Sequence, residues 1–147
     1  AIRRRTGYED ALASRGIPAD PEIKFSDEMT EAAGYRATRT MMALPNPPTA
    51  LLASSIIMGF GIRRALEDMG LAMGRDVSVI VHDDDLSYMR NGEDVPVFTA
   101  TRSSVREAGR RAADMLISII TGKVLAPQEQ LLEAELIIGQ STGPCKG

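Results

Sequence analysis

Residues 47–85, PPTALLASSIIMGFGIRRALEDMGLAMGRDVSVIVHDDD, read as strand, helix, strand, and their reading decides the fold. Thr49 to Ala53 is a short apolar run behind a proline pair, and Ser54-Ser55 follows as a turn and helix N-cap. A helix from Ile56 to Met69 stops at Gly70, and Val77 to Val81 is a second apolar, β-branched run closed by His82-Asp83-Asp84-Asp85. Two short strands linked by such a helix define a right-handed βαβ unit of a parallel sheet. Ligands of open parallel sheets bind beyond the carboxyl ends of the strands. Ser54, Ser55, His82 and Asp83 all fall there.

Outward from this unit the same alternation continues. Arg3 to Ser14 has Tyr8, Ala11 and Leu12 at helical spacing and stops at Gly16, with no strand before it. Glu22 to Phe25 is a short strand candidate. Thr30 caps a helix through Leu44, with Ala33, Ala37, Met41 and Leu44 on one stripe, before the break Pro45-Asn46-Pro47-Pro48. Beyond Asp85 the pattern dissolves into the polar loop LSYMRNGEDVP. Val97 to Thr101 is expected as a strand, and Ser103 or Ser104 as the cap of a helix with an apolar stripe from Val105 to Ile119 that ends at Gly122. Gln130 to Ile138 is expected as the last strand. An order of this kind predicts an α/β domain with a mainly parallel sheet flanked by helices.

Composition narrows the function. The chain has 147 residues, 44% hydrophobic and 25% charged, enough for one core or one lobe of something larger. A net charge of −3 argues against this segment gripping nucleic acid itself, which needs clustered Lys and Arg. No apolar run reaches the length of a membrane span, and the basic start AIRRRTGYED lacks the apolar segment of a secretory signal. A single cysteine, Cys145, excludes an internal disulfide, fits a reducing compartment, and has nothing near it in sequence to activate it.

Three chemistries can be set against bland alternatives. Asp83 and Asp85 at a strand end could hold Mg²⁺ or supply a phosphoryl nucleophile, but the later strand ends, Thr99-Ala100-Thr101 and Gly139-Gln140-Ser141, offer neither the further carboxylates nor the lysine that this needs. Ser54 or Ser55 with His82 and Asp83 lacks the G-x-S-x-G elbow, and neighbouring side chains on a strand point to opposite faces, so Asp83 is not placed to orient His82. The arginine groups Arg3-Arg4-Arg5 and Arg102, Arg106, Arg110 and Arg111 read mainly as solvated faces, although an arginine near a helix start can aim its planar fork at ligand hydroxyls. No catalytic residue, metal or cofactor is expected.

The 47–85 run resembles the C-terminal half of the lactose-repressor/galactose-repressor (LacI/GalR) family of bacterial transcription regulators. Further similarity lies in R-R-x-G-Y-x-x-A-L at Arg4 to Leu12, E-x-x-G-Y at Glu31 to Tyr35, FTATRSSVREAG from Phe98 to Gly109, and the closing Ser141-Thr142. The collinear match covers nearly the whole chain. It implies the C-terminal lobe of a type I periplasmic-binding-protein-like fold, with most of the first lobe and an N-terminal helix-turn-helix head lying outside residues 1–147. It further implies a cytoplasmic homodimer that binds a small-molecule effector, a sugar, and touches operator DNA only through that head. A secreted sugar carrier of the same fold is the nearest alternative, and a Mg-dependent phosphatase a more distant one.

Carried over position by position, the resemblance implies ligand contacts at Arg4 and Asp83. Ser55 replaces an asparagine, Met29 stands in place of a stacking aromatic, and Ser103 falls at a common polar contact. His82 replaces an aromatic, Val81 a glycine, and Gly139 an arginine. The helix from Ser104 to Thr121 is expected to cross back toward the first lobe, leaving its apolar stripe without that partner.

Overall fold

The computed structural model describes residues 2–86, 88–123 and 129–144; Cys145 lies outside the described residues. Helix α1 spans Ile2–Ala13, α2 Glu31–Met42, α3 Ile56–Asp68 and α4 Val105–Ile120, and the strands are β1 Ala50–Ala53, β2 Ser78–Asp83, β3 Thr99–Arg102 and β4 Glu135–Ile137. They form one sheet in the order β1-β2-β3-β4, with β1, β2 and β3 parallel and β4 antiparallel to β3. The expected α/β class with a mainly parallel sheet is what forms.

Capping explains where the helices begin. The Thr30 hydroxyl accepts the Ala33 amide at 3.1 Å, Ser55 accepts Ile57 at 3.1 Å and Ser104 accepts Glu107 at 3.3 Å, so each helix satisfies one otherwise orphaned N–H. Helix α3 ends where Gly70 takes a φ of 71°, a left-handed turn that any side chain would resist.

One expected strand does not form. Glu22 to Phe25 is replaced by a 3₁₀ turn, Pro21–Ile23, because Asp20 accepts the Glu22 amide at 2.8 Å and Pro21 presets the turn backbone. Among the described residues no strand pairs with the outer side of β1, which stays a sheet edge.

The core lies between β1–β3 and the α2–α3 pair. Leu51, Ala53, Val79, Val81, Phe98 and Ala100 face Ala37, Met41, Ile56, Ile62 and Leu66. Phe60 meets Phe98 edge to face, with centroids 5.5 Å apart at 75°. On β2 the buried positions alternate as Val79, Val81 and Asp83, which leaves Ser78, Ile80 and His82 on the other face. That alternation decides which polar residues reach the sheet edge. Helix α4 buries none of its residues, and Leu116, Ile117 and Ile120 are more than half exposed.

Candidate functional site

The parallel strands deliver their carboxyl ends side by side, with Ala53 beside Val81, and Asp83 beside Arg102. Three short polar sequences therefore meet at one edge: Ser54-Ser55 after β1, Asp84-Asp85 after β2, and Ser103-Ser104 after β3. Backbone bonds tie them together, since the Ser103 amide donates to the Asp83 carbonyl at 3.1 Å and Val105 to the Asp84 carbonyl at 3.4 Å.

Helix α1 brings Arg4 to this edge. Its Nη1 donates to the Ser54 carbonyl at 2.5 Å, and its Nη2 lies 3.8 Å from Asp84 Oδ1, so the guanidinium bridges the ends of β1 and β2. Asp84 Oδ1 is also 3.0 Å from His82 Nε2, which in turn lies 3.2 Å from the Ser103 hydroxyl; His82 Nδ1 is 3.0 Å from Thr101 Oγ1. The Arg4 and Asp84 side chains are 43% and 38% exposed, whereas His82 is only 13% exposed. The result is one cation, one carboxylate and one hydroxyl at the rim with an imidazole behind them. Such a set matches a neutral, hydroxyl-rich molecule, because guanidinium and hydroxyl donate where the carboxylate accepts.

The other residues singled out in the sequence take different places. Asp83 ends β2 on its buried face, where Oδ2 accepts from Arg102 Nε and Nη2 at 3.2 and 3.1 Å and Oδ1 accepts the Asp85 amide at 2.9 Å. Both of its oxygens are thus engaged inside the chain. Ser55 is buried and spends its hydroxyl on the cap of α3. Met29 is 57% exposed in the segment just before Thr30. Ser103 reaches the cluster through His82.

Two members of the cluster were not singled out as contacts. Asp84 reads as a loop residue and His82 as structural when each is taken alone. The usable signal was the period of two: His82 and Asp84 share one face while Asp83 shares the other with Val79 and Val81. Arg102, grouped with a solvated face, is instead 32% exposed and paired with Asp83. Arg110 and Arg111 do stay on the surface, both bonded to Glu107.

Fold and edge together define an α/β lobe of the type I periplasmic-binding-protein kind. The chain belongs to the family of periplasmic binding protein-like domains, whose model matches residues 1–142, in the form carried by LacI-family transcriptional regulators. It is 42% identical over 144 residues to the HTH-type transcriptional regulator AglR of Rhizobium meliloti (strain 1021), covering 98% of this chain and 40% of that protein. Among solved structures, a transcriptional regulator CelR-cellobiose complex superposes with a TM-score of 0.82 at 28% identity, covering 95% of this chain and 42% of that one. A LacI family regulator from Enterococcus faecium with bound ribose gives 0.79 at 26%, covering 97% and 51%. The chain therefore spans about 40% of the length of the curated relative AglR. These relatives are regulators rather than enzymes, and among the described residues no helix is long and apolar enough to cross a membrane.

Proposed function

We propose that these residues form the effector-binding and dimerisation region of a LacI/GalR-type regulator. A sugar is held at the Arg4–Asp84–His82–Ser103 edge, and its binding controls operator DNA through a helix-turn-helix head elsewhere in the full-length cytoplasmic protein. The observation that carries this reading is the convergence of Arg4 and Asp84 at the carboxyl edge of a parallel sheet, in a chain similar to sugar-bound regulators. Asp83 supports the edge from behind by fixing Arg102, and Ser55 does so by starting α3. Met29 belongs to the outer rim. Ligand closes this lobe on its partner lobe, and the shift passes to the heads of a homodimer. Hydrogen bonds to charged groups at about 1.5–3 kcal/mol each supply the differential binding that such a switch uses.

The test is an operator gel shift with the full-length protein. Arg4→Ala and Asp84→Ala each abolish the response to sugar and leave operator binding intact, while the 147-residue chain alone does not shift DNA. Sugar-dependent release from both variants would overturn the assignment.

A further inference from the structure

His82 is the sole histidine of the chain, and its ring links Asp84 just after β2 to Thr101 on β3 and Ser103 just after it at the candidate edge. An ionised carboxylate only accepts hydrogen bonds, so the hydrogen between His82 and Asp84 resides on Nε2. In the neutral ring Nδ1 is then a bare lone pair, and the Thr101 hydroxyl donates to it across 3.0 Å. The single Nε2–H is shared between Asp84 Oδ1 and, across 3.2 Å, Ser103 Oγ, which can only accept from it, so the hydrogen of Ser103 is left to point away from His82. One imidazole thereby sets the sense of three polar groups. Asp84 is held as an acceptor, Ser103 is turned into an outward donor, and Thr101 is committed inward.

We propose that His82 is the positioning residue that gives this edge its selectivity. By holding Asp84 and Ser103 with opposite polarity beside Arg4, it selects a neutral vicinal diol over ligands that offer only acceptors. This rests on the reading of the edge as a sugar site. A diol fits because one hydroxyl donates to Asp84 while accepting from Arg4, and its neighbour accepts from Ser103. A phosphate or carboxylate has no hydrogen for Asp84 and meets its negative charge. An aromatic ring in place of His82 fills the same space without holding either group.

The test has two arms. Long-range ¹H–¹⁵N NMR of the 147-residue chain reads the tautomer of the single imidazole without any ligand. The wild type shows the Nε2–H form alone, and Asp84→Asn, whose amide can donate to Nε2, populates the Nδ1–H form. A wild type with a substantial Nδ1–H population, or an Asp84→Asn spectrum identical to wild type, overturns the proposal. In the second arm cellobiose and ribose are titrated into the full-length protein. For whichever sugar binds, His82→Phe weakens affinity by about tenfold or more, the loss expected of a charge-assisted hydrogen bond, and His82→Gln, which keeps an N–H near the Nε2 position, restores most of it. Equal affinity for wild type and His82→Phe, with both folded by circular dichroism, overturns the positioning role. Failure of both sugars to bind sinks the sugar reading instead, while the tautomer still decides whether Asp84 directs the ring.

Discussion

Arg102 closes Nε and Nη2 on one oxygen of Asp83, at 3.2 and 3.1 Å, and so seals a carboxylate whose side chain is only 3% exposed. Removing the arginine leaves that charge inside with the Asp85 amide as its remaining named partner. Breaking a buried pair from one side is costly because the partner stays desolvated. Arg102→Met is expected to destabilise the chain by about 3 kcal/mol, at the lower end for such pairs because water reaches Arg102. The double variant Asp83→Asn/Arg102→Met recovers much of that loss, since an amide oxygen still accepts from Asp85. Urea unfolding midpoints measure both, and a double variant no more stable than Arg102→Met would show that the pair does not act as one.

Helices α2 and α3 cross at two glycines. A Cβ on Gly34 would lie 2.3 Å from the Met58 carbonyl oxygen, and one on Gly61 would press on the Glu31 carbonyl oxygen and come within 2.7 Å of the Tyr35 amide nitrogen. Backbone cannot step aside as a side chain can, so the helices must part. Gly61→Ala is expected to cost about 3 kcal/mol, the upper end of overpacking. Gly109→Ala on α4 has open space around its Cβ and gains about 0.5–1 kcal/mol from helix propensity. Thermal melts of the two variants should move in opposite directions. Equal shifts would contradict the close crossing.

The α3–β2 unit was legible because its apolar runs are bounded by cap and stop residues that act locally. What failed was non-local. Glu22 to Phe25 alternates like a strand, but a strand needs a neighbour, and Asp20-Pro21 offers the backbone a turn instead. At the edge, the resemblance implies a ligand contact at Asp83; the period of β2 puts its carboxylate on the buried face, paired with Arg102, while His82 lies on the other face and bonds Asp84. Asn91 was likewise hidden in a polar loop. Its amide side chain donates to the Phe98 carbonyl at 2.8 Å and accepts the Phe98 amide at 2.7 Å, imitating a sheet partner just before β3. No spacing rule links residues that meet only through tertiary structure.

Glu107 gives a pH prediction with a definite sign. Hydrogen bonds from Arg110, then Arg111, lower its carboxyl from the ordinary 4.5 to about 2. A depressed folded-state value means stabilisation that is full above the unfolded value and lost as pH falls through the folded one. The helicity advantage of wild type over Glu107→Gln is therefore present at neutral pH, declines from 4.5 and is gone below about 2. All three side chains are solvated, so the effect is small and salt reduces it. Circular dichroism at the helical minimum across that range checks it. An advantage that persists below the folded value would exclude Glu107 as its source.

Ser141 sits fully buried where the C-terminal segment runs alongside β2 and β3. Its hydroxyl donates to the Val79 carbonyl and accepts the Thr99 amide at 2.8 Å, while its carbonyl accepts the Val79 amide at 2.7 Å. Next to it the Thr99 and Thr142 hydroxyls meet at 2.7 Å. The closing Ser-Thr pair therefore stitches the chain end to the two central strands and lies on the β3 end opposite to the Arg4 edge. Ser141→Ala strips the Thr99 amide of its partner in a site closed to water, and an unsatisfied buried donor costs about 1–3 kcal/mol. Loss near the upper end of that range is expected, because the Val79 carbonyl loses a donor in the same step. Since the damage is to the sheet and not to the Arg4–Asp84 edge, stability should fall while, on the proposed reading of that edge as a sugar site, the sugar affinity of the folded fraction stays unchanged. Denaturation and titration of the same variant separate the two, and an affinity loss larger than the unfolded fraction explains would place Ser141 in the binding site.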